Sequence, residues 1–205
     1  MRVLVVDTTA DRMSLALWDG TRAFVRSPEP AKPHDETLFG EVDRLLKKAG
    51  LRLDQVEGFA AACGPGRFTG IRIGMTYAAV SARALGRPAA AVSLLEALAF
   101  RERARFGPGR TLWAVLPGIR EEVYFQGFAR ARSGVKAVSE PRWAASADEV
   151  PGEKLTAEGS LPGAADLLPL ALQRLKKKAS PMRPLYLKPA KFELTHGAHP
   201  KSRRR

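Results

Sequence analysis

The chain has 205 residues, room for one large domain or two small lobes at roughly 100–200 residues per domain. Hydrophobic residues make up 45% and charged residues 27%, which excludes wholesale disorder, a collagen-like repeat and a disulfide scaffold. The net charge of +13 is lopsided: residues 171–205 hold 11 Lys and Arg against one acid, Glu193, while residues 1–170 hold 23 against 20. The single cysteine, Cys63, forbids an intramolecular disulfide and makes a reducing, cytoplasmic location the default expectation. No apolar run reaches the ~18–20 residues of a membrane helix, so no membrane partner is expected. The first seven residues lack the long core of a signal peptide and read as a first strand.

Residues 2–7 are a near-continuous apolar run, the pattern of a strand buried on both faces. Residues 13–18 and 21–26 flank Asp19-Gly20, a hairpin dipeptide, so the chain opens as a three-strand meander. Pro28, Pro30 and Pro33 impose an extended loop. Residues 34–50 carry the strongest helical signal. Leu38, Phe39, Val42, Leu45, Leu46 and Ala49 fall on one stripe, and Gly50 supplies the stop. Asp35 and Glu36 in the first turn and Lys47 and Lys48 in the last match the helix dipole. Asp54 with Glu57 has the spacing of a capping box, and residues 58–63 form a strand of small apolar residues.

The glycine-rich turn GPGRFTG, residues 64–70, follows. Thr69 is placed to cap a helix running to about Leu85. Residues 89–92 are a strand, and Ser93 with Glu96 forms a second capping box, for a helix over 94–105. Gly107-Pro108-Gly109 marks a lobe boundary. Beyond it, 111–116, 122–129 and 135–139 read as strands. Residues 140–165 read as mostly loop, with a short strand near 155–157. A helix with a basic end covers 167–178, and Pro181, Pro184 and Pro189 bracket Leu185-Tyr186-Leu187. The expected organisation is a first lobe over 1–108, a smaller second lobe over 109–195 and a disordered basic tail over 196–205.

Three places invite a chemical reading. A strand–glycine turn–helix unit aims backbone N–H groups and the positive helix end at one spot, which suits an anion. The Gly-Lys-Ser/Thr ending of a phosphate-binding loop is missing, however, and Gly64, Gly66 and Gly70 are spaced one residue too widely for the dinucleotide fingerprint. Gly64, Gly66, Thr69 and Gly70 therefore stand as either a phosphate or nucleotide contact or a tight turn that needs positive φ and close packing. Asp7, followed by Thr8 and Thr9, is either a metal–phosphate anchor or an acceptor for turn N–H groups; no second acid lies at a fitting spacing. His34 opens the long helix, but its i+4 neighbour is Leu38, so a two-histidine metal pair is absent. Cys63 reads as a buried, inert thiol, and His196 and His199 lie in the basic tail. No Ser/His/Asp or paired-carboxylate set stands out. The Leu38, Val42, Leu45 and Leu46 stripe is either core or, with Ile71, Met75 and Ala78 of the next helix, a face for a helix bundle with a second chain.

The opening VLVVDTTADRMSLALWDG, the block GPGRFTGIRIG and the helix start at Ser93–Glu96, in that order, resemble the bacterial TsaB family of tRNA threonylcarbamoyladenosine biosynthesis proteins. The likeness is strong over residues 1–100 and thins beyond to 120–124 and 184–187. Arg67 stands where that block commonly has serine, and Pro117-Gly118-Ile119 where Asp-Ala usually precedes the arginine. The resemblance implies an α/β fold with mixed sheets, of the actin, sugar-kinase and heat-shock-chaperone (ribonuclease H-like) type, in two lobes. It implies a non-catalytic scaffold that pairs through its N-terminal helices with the related catalytic subunit TsaD. The small ATPase TsaE joins the same assembly, which transfers a threonylcarbamoyl group to the adenosine beside the tRNA anticodon. ATP or ADP and the metal are then expected in the partner subunits, with none tightly held by this chain. Carried onto these residues, the partner face is Leu38, Val42, Leu45, Leu46, Ile71, Met75 and Ala78, and a homodimer through the same face is also expected. Two rivals stand beside this reading: an independent nucleotide-binding phosphotransferase or ATPase using Asp7, Thr8 and the 64–70 turn, and an RNA-binding adaptor using the basic C-terminal region.

Overall fold

In the computed structural model the apolar N-terminal run becomes β1 (Val3–Asp7), with all five residues buried. Residues 1–29, 33–132, 134–157, 159–177 and 182–188 are described. Pleating sends alternate β1 side chains to opposite faces: Val3 and Val5 enter one core cluster, Leu4 and Val6 another. β2 (Ser14–Trp18) and β3 (Ala23–Arg26) complete the antiparallel meander, with Val3 opposite Trp18 and Leu15 opposite Arg26. β4 (Gly58–Ala62) and β5 (Ala89–Val92) add parallel strands, giving the order β3-β2-β1-β4-β5.

Two helices cover the Leu4/Val6 face: α1 (His34–Lys48), after β3, and α2 (Phe68–Ala84), after β4. The opposite face carries α3 (Leu94–Arg101) and, from far along the chain, α4 (Ala164–Lys176). The second sheet lies beyond them. It consists of β6 (Thr111–Pro117), β7 (Val123–Ala131), β8 (Gly134–Ala137), β9 (Arg142–Ala144) and β10 (Lys154–Thr156). Its order is β10-β6-β7-β8, with β9 also paired to β7 and β10 parallel to β6. Leu112, Leu116 and Phe128 of this sheet share one apolar cluster with Val3, Val5 and the two helices, so a continuous core joins the sheets.

α4 ties the ends of the chain together. The Ala164 N–H donates to Ser14 Oγ at 2.7 Å. The Arg174 guanidinium meets the Ala91 carbonyl and the Glu96 carboxylate. α4 thus returns to the first sheet, while β6 to β10 make the second.

Several local expectations give way to longer-range partners. Glu57 does not cap a turn with Asp54; its Oε2 accepts the Arg2 N–H at 2.7 Å and faces Arg2 Nε at 3.3 Å. Ser93 Oγ does accept the Leu95 N–H, but Glu96 turns to Arg174. α3 stops at Arg101 and a 3-10 turn, Arg103–Arg105, takes up the rest. α2 starts before Thr69, with Arg67 in the capping position. A strand, β9, appears within 140–165. α4 begins three residues earlier than expected, where Asp166 Oδ2 accepts the Gly163 N–H at 2.9 Å. Pro30, Pro181, Pro189, His196, His199 and the basic tail over 196–205 lie outside the described residues.

Candidate functional site

The glycine-rich turn and the end of β1 do come together, and they bind each other. Asp7 is buried, and its Oδ1 accepts the Thr9 N–H at 3.0 Å and the Thr9 hydroxyl at 2.7 Å. Burial raises the Asp7 carboxyl above its ordinary value, while the Thr9 hydrogen bonds pull it down. Asp166 at the start of α4 adds a smaller upward push; sequence spacing gave no sign of this second acid. The Thr8 hydroxyl donates to the Gly70 carbonyl at 2.7 Å, and the Arg67 N–H donates to the Thr9 carbonyl at 2.8 Å. A Cβ on Gly70 would overlap the Thr8 carbonyl oxygen. Gly64 holds φ +111°, and Gly66 backs onto Thr9. The glycines thus serve close packing. Asp7, Thr8, Gly64 and Gly70 are buried; only Gly66 and Thr69 reach the surface. The Thr8 hydroxyl and the Gly70 carbonyl are spent on each other, although both residues, with His34, Arg67 and Thr69, border an open groove of about 820 Å³.

His34 Nε2 lies 2.8 Å from the Ala10 carbonyl, so that ring nitrogen donates and ties α1 to the β1–β2 turn. The Cys63 thiol is pushed up to about 11 by burial. Among the described residues, no three His, Cys, Asp or Glu side chains converge as a metal site.

The expected partner face needs correction. Leu38, Val42, Leu45, Leu46, Ile71, Met75 and Ala78 are all buried, none more than 6% exposed, in the cluster beneath α1 and α2. Their stripe packs against Leu4, Val6, Leu15, Leu17 and Phe59 of the chain's own sheet. Most of the stripe is thus covered by the chain's own sheet, while Leu38 and Met75 also line surface grooves. The outer surface of the same helices is nevertheless apolar. Phe39 is 67% exposed, Val80 60% and Phe68 55%. The Phe39 and Tyr77 rings meet edge to face at 5.3 Å. With Ile73 and Val80 they line a groove of about 370 Å³, rimmed by Asp35 and Arg72. A second groove of about 820 Å³ continues from Asp35 and Ile73 past Phe68 to Ile119. Tyr186 stacks on Phe68 at 4.7 Å and extends the ridge.

Sequence reasoning placed Phe39 beside the stripe but missed Ile73, Tyr77, Val80, Phe68 and Tyr186. A signal was available. Ile73, Tyr77 and Val80 stand at i, i+4 and i+7, a second apolar stripe on a helix whose first stripe is Ile71, Met75, Ala78 and Ala82. A helix apolar on two faces calls for cover on both.

Two mixed sheets, sharing a core and carrying helices, define a protein of the actin-like and sugar-kinase class. Residues 27–182 match the protein family described as "TsaD: tRNA N6-adenosine threonylcarbamoyltransferase". The chain belongs to that family, and its similarities point to the TsaB and YeaZ members. The Escherichia coli tRNA threonylcarbamoyladenosine biosynthesis protein TsaB is 30% identical over 135 residues, 66% of this chain and 58% of that protein. An uncharacterised protein of Mycobacterium leprae is 36% identical over 163 residues, 77% of this chain and 43% of the relative. The chain thus matches only about half the length of these relatives. A crystal structure of a Pseudomonas aeruginosa protein, described as similar to peptidase YEAZ, superposes with a TM-score of 0.75 at 27% identity. That match covers 91% of this chain and 99% of the other.

Proposed function

We propose that the chain is a supporting, non-catalytic subunit in threonylcarbamoyl transfer to the tRNA adenosine adjacent to the anticodon. It docks the outer ridge of α1 and α2 on a TsaD-like catalytic subunit, in a cytoplasmic assembly that also includes a TsaE-like ATPase. The observation that carries this reading is the apolar ridge of exposed Phe39, Phe68 and Val80 beside half-buried Ile73 and the buried Tyr77 ring. An apolar ridge with a polar rim is the anatomy of a protein interface. Family membership supplies the class of partner. Non-catalytic character is supported by Leu38, a core leucine at the position where a His-x-x-x-His helix would place its second ligand. The nucleotide-enzyme alternative draws no support from Thr8 and Gly70, which are spent on one another. Without the partner, two copies of the chain cover the same ridge.

The test is co-purification with the TsaD-like subunit of the same cell. Phe39→Asp with Val80→Asp should weaken capture at least ~30-fold, the loss of a hot spot worth about 2 kcal/mol. Thermal unfolding should barely change, since both side chains already face water. Undiminished capture by this variant means that the partner uses another face.

A further inference from the structure

Four exposed arginines gather at one corner of the molecule. Arg103 and Arg105 belong to the 3-10 turn after α3; Arg130 and Arg132 lie at the end of β7 and in its turn toward β8. Packing brings these segments together. The Phe100 ring at the end of α3 lies so close to Gly134 of β8 that a Cβ there would stand 2.9 Å from it. The Arg103 guanidinium stacks over the same ring at 4.7 Å and donates to the Phe100 carbonyl at 3.0 Å. Arg130 donates to the carbonyl of the fully buried Phe106 at 3.5 Å.

Carbonyl oxygens and an aromatic face therefore orient the Arg103 and Arg130 guanidinium groups without cancelling their charge. Among the described residues, no carboxylate pairs with Arg103, Arg130 or Arg132. Glu102 and Asp166 are both engaged by Arg101, the residue just before the turn. The sequence holds no Asp or Glu between Arg103 and Arg120, and none from Val123 to Ser139. Guanidinium forks match phosphate oxygens, and pre-orientation lowers the entropy lost on contact. Arginines spread over two segments suit an extended polyanion better than one small anion.

We propose that this corner docks the phosphate backbone of a tRNA, a role that rests on the tRNA-modification reading above. The corner stands on the α3 side of the first sheet and the apolar ridge on the α1–α2 side. One chain can therefore hold RNA and its protein partner together. None of these arginines belongs to the basic segment over 196–205.

The experiment measures binding of an unmodified tRNA transcript to the purified full chain by fluorescence anisotropy over a salt series. The R103A/R130A/R132A variant should lose at least tenfold in affinity. Its slope of log K against log salt should fall by about 2, given roughly 0.7–0.9 per phosphate contact. The R103K/R130K/R132K variant should keep the salt slope, because each charge is retained, but bind roughly three- to tenfold more weakly, because lysine lacks the planar fork. Replacing Lys201, Arg203, Arg204 and Arg205 by alanine should cost less than the corner variant. Wild-type affinity and slope in R103A/R130A/R132A overturn the proposal, as does a larger loss from the tail variant. Tighter binding to a poly-glutamate tracer than to tRNA overturns the assignment to RNA. The readout uses the chain alone and does not depend on capture of the catalytic subunit, so this proposal and the reading it rests on fail separately.

Discussion

The two helical layers on the first sheet make an instructive pair. α3 is almost wholly apolar, and both of its sides are occupied: α4, which lies on the first sheet, covers one, and the second sheet the other. α2 is also apolar on two sides, but only the inner one is occupied within the chain. The same kind of helix is thus core in one place and surface in the other. What separates them is the arrival of α4 and the second sheet on the α3 side. The apolar side left over on α1 and α2 is where cover from another molecule contributes most, roughly 1.5–3 kcal/mol for each large side chain buried.

This contrast can be broken from the inside. Leu45 is fully buried, so Leu45→Glu should unfold the chain, at a cost above about 4 kcal/mol. Thermal denaturation and loss of near-UV circular dichroism would report it. Exposed Phe39, replaced in the same way, should leave the melting curve in place. If Leu45→Glu melts like the wild type, the inner stripe is not core.

A smaller effect is expected at the junction of α2 with β1. Gly70→Ala places a methyl on the Thr8 carbonyl, which is backbone and cannot swing away. We expect a loss of about 1–3 kcal/mol in denaturant unfolding. A Cβ on Gly40, in α1, would meet only Arg44 Nη1 at 3.8 Å, an ordinary contact, and Gly40→Ala should stabilise by up to about 1 kcal/mol through helix propensity.

Glu41 offers a finer probe of how α1 is pinned to β3. It is buried, with Arg26 and Arg44 on its two oxygens. Arg26 chiefly, then Arg44, hold its carboxyl below the ordinary value of 4.5, against the opposing effect of burial. A depressed carboxylate contributes stability above its unfolded pKa and loses it as pH falls through the folded one. Glu41→Gln should therefore cost about 1–2 kcal/mol near neutral pH, moderated because both guanidinium groups reach solvent. The gap between variant and wild type should close as the pH falls below about 4.5. A gap that persists at low pH would mean that packing, not charge, holds α1 there.

Much of the fold was legible because periodicity reports burial. The meander, α1 and the strand–turn–helix unit of β4 and α2 all follow from it. The stripe on α1 was equally legible as a buried stripe, but periodicity does not say what buries it. Leu4, Leu15 and Phe59 of the chain's own sheet do. Other misses share a cause in distant partners. Glu57 was read against its near neighbour Asp54 and found Arg2, 55 residues away. Asp7 lacked a companion acid by spacing, and α4 brought Asp166 near it. β9 has only three residues, too few for alternation to show.

The return of α4 to the first sheet carries a consequence for biogenesis. When the first hundred residues leave the ribosome, the sheet they contain has helices for one side and an open floor on the other. That floor closes only when Ala164–Lys176 emerges and reaches Ser14 and Ala91. The N-terminal half is therefore not a self-sufficient product of translation, and a protease nick in the 107–109 turn leaves two fragments that remain clasped.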